Sequence, residues 1–412
     1  MAVLSVNAGS SSLKFALYPF DTQLLGEPLL IGQFERLEAW DESLSKSSIT
    51  KRVAILKYTR QGESTLTLEI QLSAGEDPFD CAITVLKQLI DESLGQEANS
   101  KRSLSAISHR VVHGGSLYKS SVIVTKEVIE QLSTLNPLAP LHQPHNISGI
   151  ECFIRFFPQT TQVACFDTSF HTTLPALETT FALEQKLADS GIKRYGFHGL
   201  SYQYITQRLS DLTERSQGKV ILAHLGNGAS LCATQAHKSV ATTMGFSALD
   251  GLMMGTRSGS LDAGVLIYLM EQGWSPKEIE TSLYKKSGLL GVSGLSADVR
   301  TLRASKDPKA IFALELFTHR VVKEMGALSA VLGGLELICF SGGIGEHDSV
   351  LRRDVCSQLS WLGVRIDEEL NNKATKDQAM LVSQEDSRVQ VWVIPTDEGR
   401  IAAQEAIGLV GL

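Results

Sequence analysis

The sequence V-N-A-G-S-S-S-L-K, residues 6–14, joins two runs of apolar residues near the start of the chain. The apolar pattern predicts a strand, a tight turn at Gly9 and a second strand, and glycine allows a turn conformation that other residues avoid. The hydroxyls of Ser10 and Ser12, the backbone N–H groups of the turn and the charge of Lys14 suit phosphate oxygens. A Walker-type phosphate loop would lead into a helix, so this hairpin is another kind of phosphate site or an ordinary polar turn.

The length of 412 residues favours two domains. A composition of 20% charged and 43% hydrophobic residues is typical of a soluble globular enzyme, and the net charge of −7 argues against nucleic-acid binding. The N-terminus lacks a basic segment followed by an apolar one, so we expect no signal peptide. The apolar stretch at residues 331–340 contains Glu336 and is too short to span a membrane. We therefore expect a cytoplasmic protein.

Six cysteines are scattered along the chain without a CxxC pair or a zinc-binding spacing. They are Cys81, Cys152, Cys165, Cys232, Cys339 and Cys356. Most lie in apolar segments, which predicts buried free thiols in a reducing compartment. His142 and His145 have an H-x-x-H spacing, but we expect Pro144 to interrupt the helix that would align them, so zinc is not predicted.

Strand-like and helix-like segments alternate along the chain, which predicts an α/β fold. Four strand-like segments end in small or polar residues, as strands do at the ligand edge of open α/β sheets. They are residues 106–112, 163–166, 220–224 and 337–340. Helices predicted over residues 262–272, 276–286 and 308–332 should cover the later sheet. Ser12-Leu13 and Ser230-Leu231 each follow a turn with glycine, which favours two related halves with a nucleotide between them.

Two arginines lie in glycine-rich segments. Glycines on both sides are expected where the backbone must approach a ligand closely. Arg110 ends a strand just before His113-Gly114-Gly115, and Arg257 lies between Gly255 and Gly259. The planar guanidinium suits carboxylate or phosphate oxygens, although a structural ion pair is the alternative for each arginine.

Three histidines near strand ends, His171, His198 and His224, are candidates for stabilising a transferring phosphoryl group. Imidazole N–H groups can donate to the equatorial oxygens on which charge collects in phosphoryl transfer. A lone histidine is more often structural, and we expect a structural role for His109, His237 and His319.

Two carboxylates and one amide are candidates for metal binding. Asp167, at a strand end, could position a metal or organise a catalytic arginine, and Glu398 could hold Mg²⁺ through water. Asn7 lies where it could reach a metal-bound water. Solvated or capping carboxylates are the alternative. The G-I-G-E segment at residues 343–346 suits the approach of a nucleotide to the backbone, but an isolated GxG is a weak signal.

Together these segments resemble the acetate kinase family, within the larger group of sugar kinases, heat-shock chaperone ATPases and actin. The motifs occur in the family's order across nearly the whole chain. They are V-N-A-G-S-S-S-L-K at 6–14, H-R-V-V-H-G-G at 109–115, L-A-P-L-H at 138–142, F-D-T-S-F-H at 166–171, R-Y-G-F-H-G-L-S at 194–201, H-L-G-N-G-A-S at 224–230, G-L-M-M-G-T-R-S-G at 251–259 and G-G-I-G-E at 342–346.

The resemblance implies a fold and a reaction. The fold is two related ribonuclease H-like α/β domains around a nucleotide cleft, residues 1–167 with 398–412 and residues 168–397. The first would bind the acyl substrate and Mg²⁺, and the second would bind nucleotide and form a homodimer. The reaction is reversible phosphoryl transfer from ATP to acetate, without a covalent enzyme intermediate, giving acetyl phosphate and ADP. Mg²⁺ is the implied cofactor, for which Mn²⁺ could substitute.

The resemblance also implies roles for individual residues. Asn7 and Glu398 would hold Mg²⁺, Arg110 would bind the acetate carboxylate, and Asp167 would orient the catalytic arginines. His198 and Arg257 would stabilise the transferring group. Val112, Leu141 and Phe197 would line the acetate methyl pocket. The nucleotide would contact Ser10, Ser12, Lys14, His224, Leu225, Gly226, Asn227, Gly228, Asp298, Val299, Arg300, Gly343, Ile344, Gly345, Glu346 and His347.

The sequence departs from the family pattern at positions that bear on specificity. Ala248 stands where a pocket-lining proline is usual, which could enlarge the acyl pocket. Other departures are Ser260, Ala263, His347 and Gly399. None removes a residue assigned to the chemistry, but they leave acyl-chain length and nucleotide preference open.

Three other functions compete with acetate phosphorylation. A propionate or butyrate kinase would differ only in pocket volume. An ATP-driven binding protein of the same fold would leave Arg110 without a role. A sugar or polyol kinase would need a carboxylate base, for which Asp167 is the candidate.

Overall fold

The computed structural model describes residues 1–21, 24–37, 52–72, 75–95, 103–374 and 378–411. The chain divides into two compact units. The first comprises Met1–Ser169 and Asp397–Leu412, and the second comprises Phe170–Thr396.

The strands of the described residues are β1 (Ala2–Ala8), β2 (Ser12–Asp21), β3 (Leu24–Leu25), β4 (Leu30–Glu35), β5 (Arg52–Arg60), β6 (Leu66–Leu72), β7 (Leu104–Val111), β8 (Val122–Ile123), β9 (Thr161–Phe166), β10 (Val220–Leu225), β11 (Ala229–Gln235), β12 (Lys238–Thr242), β13 (Leu337–Ser341), β14 (Met380–Leu381) and β15 (Gln390–Val393). The helices are α1 (Pro78–Gly95), α2 (Lys126–Ser133), α3 (Gln143–Phe156), α4 (Ala176–Thr179), α5 (Gln185–Asp189), α6 (Gly199–Leu212), α7 (Ala263–Glu271), α8 (Pro276–Lys285), α9 (Gly288–Ser293), α10 (Val299–Ala304), α11 (Pro308–Leu332), α12 (Gly342–His347), α13 (Ser349–Gln358), α14 (Glu368–Lys373) and α15 (Glu398–Val410).

The first unit is built on a sheet with the strand order β6-β5-β4-β2-β1-β7-β9-β8, and β3 pairs with β2. The strands from β6 to β1 are antiparallel, whereas β7 and β9 run parallel to β1. One face buries Leu4, Val6 and Phe15 in a core with Leu86 of α1 and Phe153 of α3. Helix α15 also packs on this sheet, against β1 and β7.

The sheet of the second unit has the order β12-β11-β10-β13-β15-β14. Its first three strands form an antiparallel meander, and β13 and β15 run parallel to β10 and to each other. The strands β4-β2-β1-β7-β9 of the first unit have the same arrangement, in which three antiparallel strands are followed by two strands parallel to the third. The described chain therefore contains two α/β sheets with the same five-strand core, as predicted from the two similar hairpins.

Most predicted elements match the structure, with local corrections. The turn at Gly9 was expected to need a conformation that other residues avoid, but Gly9 is not in the left-handed region. A Cβ at this position would lie 3.2 Å from Ser12 Oγ, so a larger residue is disfavoured by the close contact and not by the backbone conformation. Pro144 lies in the first turn of α3 and does not interrupt it, because the N–H that proline lacks has no partner in a first turn. Only His145 is inside that helix. Among the described residues, no three His, Cys, Asp or Glu side chains form a metal cluster.

The three predicted helices of the second unit form at the expected places, but they do not all cover the sheet. Helix α11 packs against β11 and β12, and Gly333 ends it in a left-handed conformation. By contrast, no residue of α7 is buried, and α8 buries only Ile279. No helix among the described residues is sufficiently long and apolar to cross a bilayer.

Candidate active site

Three polar side chains lie where neighbouring parallel strands of the first unit end. Asn7 is next to last in β1, Arg110 is next to last in β7, and Asp167 directly follows β9. The register pairs Val6 with His109 and Arg110 with Cys165. The topology therefore brings these three residues to one edge of the sheet, as the sequence analysis predicted for strand ends.

Asp167 binds the Arg110 guanidinium through both carboxylate oxygens. Arg110 Nε donates to Oδ1 at 2.8 Å, and Nη2 donates to Oδ2 at 2.7 Å. Arg110 Nη1 lies 3.3 Å from Glu398 Oε2. Burial opposes the charge on Arg110, but the negative charges of Asp167 and Glu398 outweigh it and raise the pKa of the guanidinium. Arg110 is therefore a fixed cation whose Nε edge is held by Asp167.

The first turn of α15 is fixed tightly against β1 and β2, which positions Glu398. Asp397 caps the helix by accepting from Arg400 N at 2.9 Å and also accepts from the Tyr18 hydroxyl at 2.8 Å. A Cβ on Gly399 would lie 3.0 Å from Tyr18 Oη and 3.4 Å from Ser5 Oγ. The glycine that departs from the family pattern thus permits the close approach of this turn.

Asn7 and Lys14 are directly paired in the β1–β2 hairpin, on the same face as Ser5 and Tyr18. This is the face against which the first turn of α15, with Glu398, is packed. An amide oxygen and a carboxylate on one face are a donor set of the kind that Mg²⁺ prefers, with water completing the shell. Lys14 is exposed, as a residue that contacts a soluble anion must be.

The residues predicted to line an acyl pocket in the first unit, Val112 and Leu141, are both partly buried. Val112 N donates to Asn146 Oδ1 at 3.0 Å, and Asn146 Nδ2 donates to Ala8 O at 3.0 Å. Asn146, on α3, therefore links the end of β1 to the segment after β7. The sequence analysis did not identify Asn146, since nothing in its local sequence signals a contact with a residue 138 positions away.

In the second unit, the glycine turn at residues 226–228 joins β10 to β11. A Cβ on Gly228 would lie 3.3 Å from His198 Nε2 and 3.7 Å from Arg257 Nη1. The two side chains predicted to stabilise a transferring group therefore flank the same glycine. Arg257 Nη1 also donates to Ala248 O at 3.0 Å, which fixes its guanidinium.

His198 is held in an unusual position. It has φ 61° and ψ 23°, a left-handed conformation that costs a non-glycine residue free energy and often marks a functional site. Its Nδ1 is 2.8 Å from Ser230 Oγ, and its ring stacks on that of His224 with centroids 4.3 Å apart. His224 Nδ1 is in turn 2.8 Å from Ser201 Oγ.

Polar contacts link the two ends of the segment that carries Arg257, residues 250–260. Ser260 Oγ donates to Asp250 Oδ1 at 2.7 Å and accepts from Gly251 N at 3.1 Å. Asp250 also forms an ion pair with Arg194, at 3.5 Å. Ser260, another departure from the family pattern, thus ties the two ends of the Arg257 segment together.

His171 is not positioned like the other candidate histidines. Its Nδ1 is 2.9 Å from Ser239 Oγ, and its Nε2 is 2.9 Å from the carbonyl oxygen of Phe197. Burial lowers the pKa of His171 to about 4, so its ring is neutral near pH 7. Because both ring nitrogens bond to the protein, His171 supports the Phe197–His198 segment.

Residues 343–347, predicted to contact the nucleotide, form most of the helix α12. Glu346 Oε1 accepts from Gly342 N at 2.8 Å and from Thr396 N at 3.1 Å, and burial raises the pKa of Glu346. Arg352, fully buried, donates from Nη1 to the carbonyl oxygens of Gly345 and Glu346. The side chain of Glu346 therefore holds its own segment in place.

The other predicted nucleotide segment, residues 298–300, opens a short helix. Asp298 caps α10 by accepting from Arg300 N at 2.8 Å, and the Arg300 side chain pairs with the same carboxylate at 2.7 Å. Hydrogen bonding from Arg300 lowers the pKa of Asp298. Val299 is buried, and the side chain of Arg300 is 90% exposed. Arg300 is thus accessible to a ligand.

The Acetokinase family model matches residues 2–404, almost the entire chain. The chain belongs to the Acetokinase family. The acetate kinase of Rhodopseudomonas palustris strain TIE-1 is 47% identical over 405 residues, which are 98% of this chain and 96% of that protein. The acetate kinase of Clostridium beijerinckii is 39% identical over 418 residues, with full coverage of both chains.

Solved structures of an acetate kinase and a propionate kinase are also similar to this chain. The Porphyromonas gingivalis acetate kinase has a TM-score of 0.84 at 33% identity, with 99% of each chain covered. The propionate kinase of Francisella tularensis has a TM-score of 0.86 at 33% identity and the same coverage. The predicted fold, two related α/β domains of the sugar kinase and actin type, is confirmed by this similarity and by the two sheets.

Proposed function

We propose that this chain catalyses reversible phosphoryl transfer from ATP to acetate, giving acetyl phosphate and ADP. Family membership supports the reaction class, and the fixed Arg110 cation is the observation that carries the choice of a carboxylic acid as acceptor. Asp167 accepts from Nε and from one N–H of Nη2, and Glu398 lies 3.3 Å from Nη1, so an acetate oxygen would be bound by the remaining N–H groups of Nη1 and Nη2. A carboxylate is already nucleophilic, so the reaction needs no strong base and proceeds by positioning and charge stabilisation.

The same geometry argues against a sugar or polyol kinase. Such an enzyme would use Asp167 as the base that removes a hydroxyl proton. Both oxygens of Asp167 accept hydrogen bonds from Arg110 at 2.7–2.8 Å. A carboxylate held in this way is a poor proton acceptor, so Asp167 is a positioning residue for Arg110.

Mg²⁺ would be held by Asn7 and Glu398, with Mn²⁺ as a substitute. Their oxygen donors and shared face fit a hard divalent cation. When bound, the cation would neutralise charge on the nucleotide phosphates. The ion pair between Glu398 and Arg110 then orders both groups before the substrates bind.

His198 and Arg257 would stabilise the equatorial oxygens of the transferring phosphoryl group beside Gly228. Direct in-line transfer needs donors around that group and no nucleophilic side chain. The acyl methyl group would contact Val112, Leu141 and Phe197. The nucleotide would contact Ser10, Ser12, Lys14, Asp298, Val299, Arg300 and residues 224–228 and 343–347.

The assembly proposed is a homodimer that uses α7. This helix is apolar except for its last residue, Glu271, and Ile267, Tyr268 and Met270 are each more than half exposed. A contiguous apolar surface of this kind is typical of an interface, and a second copy is the partner that the family resemblance implies.

All six cysteines are free thiols, which supports a cytoplasmic location.

Propionate is the alternative acceptor, favoured by Ala248 at the position of the usual proline and by the similarity to a propionate kinase structure. The test is acyl-phosphate formation from ATP and Mg²⁺, trapped with hydroxylamine, with acetate, propionate and butyrate at matched concentrations. The proposal requires the highest kcat/KM with acetate. A preference for propionate would keep the mechanism and change the substrate, and no acyl phosphate from any acid would contradict the proposal.

A further inference from the structure

A buried chain of hydroxyl groups ends at the inner nitrogen of His198. The Tyr202 hydroxyl contacts Ser230 Oγ at 2.5 Å, and Ser230 Oγ contacts His198 Nδ1 at 2.8 Å. Tyr202 and Ser230 are both fully buried. Tyr202 lies on α6, which begins directly after His198, and Ser230 lies on β11. Tyr202 thus lies four residues after His198, and Ser230 lies two residues after Gly228.

The direction of the hydrogen bonds follows from counting protons. Burial raises the pKa of Tyr202 well above its usual value, so the phenol keeps its proton, which needs an acceptor. Among the side chains of the described residues, Ser230 Oγ is the acceptor in contact with the Tyr202 hydroxyl. The proton of Ser230, also out of contact with water, then needs its own acceptor, and His198 Nδ1 is in place for it.

We propose that Tyr202 and Ser230 are positioning residues that fix the tautomer of His198, with Nδ1 as acceptor and the proton on Nε2. His198 Nε2 is the atom that a Cβ on Gly228 would approach to 3.3 Å. The proton is therefore presented beside the glycine, where the transferring phosphoryl group would lie. His198 acts as a neutral donor, oriented before the substrate binds.

The opposite tautomer would be unsuitable for the reaction. With a proton on Nδ1 and none on Nε2, the imidazole would present a lone pair to phosphoryl oxygens and repel them. The catalytic benefit rests on the proposed function, whereas the tautomer itself is a property of the protein alone.

The tautomer is measurable by NMR on protein labelled with ¹⁵N in the histidine rings. Resonances of His198 are assigned by their loss in a His198→Gln variant. We expect an unprotonated Nδ1 and a protonated Nε2 near pH 7.5 in the wild-type protein, and a shift toward Nδ1 protonation in Ser230→Ala. A protonated Nδ1 in the wild-type protein would overturn the proposal, whether or not the protein turns over acetate.

The kinetic test uses Tyr202→Phe and Ser230→Ala. Because removal of one transition-state donor costs about 10²–10³ in kcat, loss of its orientation should lower kcat about tenfold to hundredfold, with KM for ATP and acetate nearly unchanged. Tyr195→Phe is the matched control, because its hydroxyl donates to the carbonyl oxygen of Gly191. Wild-type spectra and kcat in both Tyr202→Phe and Ser230→Ala would contradict the proposal. Should Ser230→Ala not fold, Tyr202→Phe decides alone.

Discussion

Asp167 accepts two nearly equal hydrogen bonds from Arg110, at 2.8 Å and 2.7 Å, and only 2% of the Asp167 side chain is exposed, against 20% for Arg110. The carboxylate is thus the fixed member of the pair. It lies at the end of β9 and holds the guanidinium of the neighbouring strand. Glu398 completes the arrangement from α15.

We expect Asp167→Asn to impair catalysis strongly, because an amide can accept only one of the two hydrogen bonds from Arg110. Breaking a buried pair costs about 3–5 kcal/mol when the charge left behind is uncompensated, and Glu398 should reduce this cost. The predicted result is a loss of about 10²-fold or more in kcat/KM for acetate, with a smaller loss of stability. Steady-state kinetics and urea unfolding measure the two effects separately.

Asp80→Asn is the control for that variant. Asp80 pairs with Arg155 on the more exposed surface of the same unit, where ion pairs contribute about 0–1 kcal/mol. Its kinetics should match those of the wild-type protein. Equal activity of Asp167→Asn and Asp80→Asn would mean that Asp167 does not position Arg110 for the reaction.

Gly228→Ala should block the site without unfolding the protein. Gly228 is outside the left-handed region, so alanine fits its backbone, but the added Cβ would lie 3.3 Å from His198 Nε2. We expect kcat to fall by about 10²-fold, as after the loss of a transition-state donor, while Tm changes little. Gly326→Ala, where a Cβ would meet nothing within 4 Å, is the matched control and should stay active. Wild-type kcat in Gly228→Ala would exclude phosphoryl binding beside this glycine.

The buried His171 should make the protein sensitive to acid. Burial lowers the pKa of its imidazole from 6.5 to about 4. Above pH 6.5 both folded and unfolded forms are neutral, so the shift has no effect. Between pH 6.5 and 4 the unfolded form binds the proton first, so the free energy of unfolding decreases as the pH falls, by about 3 kcal/mol for His171 alone.

His171→Gln should reduce that slope, although the variant is less stable at neutral pH because it loses two hydrogen bonds. Urea unfolding at a series of pH values measures the slope. His319→Gln, on the exposed side of α11, is the control and should keep the wild-type slope. A slope in His171→Gln equal to that of the control would show that His171 is not the group that titrates.

The strand ends could be predicted from the sequence because apolar runs and the glycines after them are local signals. The hydrogen-bond partners could not. Ser201 and Thr396 are 195 positions apart, and their hydroxyl groups are 2.8 Å apart only because α6 and the segment after β15 meet in the fold. The family resemblance implies a nucleotide contact for Glu346, and nothing in the local pattern indicates that its side chain turns inward to Gly342 and Thr396.

Ala248→Pro should narrow the acyl preference. The carbonyl oxygen of Ala248 holds Arg257 at 3.0 Å, and proline retains that carbonyl while adding volume. One methylene in an apolar pocket is worth about 1–3 kcal/mol, so we expect the ratio of kcat/KM for propionate to that for acetate to fall about tenfold. Ala248→Val adds similar volume without restricting the backbone and should act in the same direction. An unchanged ratio in both variants would place this residue away from the acyl pocket.

Ile267→Asp should disrupt the proposed dimer. Ile267 is 60% exposed on α7, a helix with no buried residue, so the charge should be tolerated in a monomer and rejected within an apolar interface. Light scattering coupled to size exclusion should give twice the chain mass for the wild-type protein and the single-chain mass for the variant. Trp361→Asp, at a position 70% exposed elsewhere in the second unit, should remain dimeric. A dimeric Ile267→Asp would place the interface on another surface, and a monomeric wild-type protein would contradict the homodimer altogether.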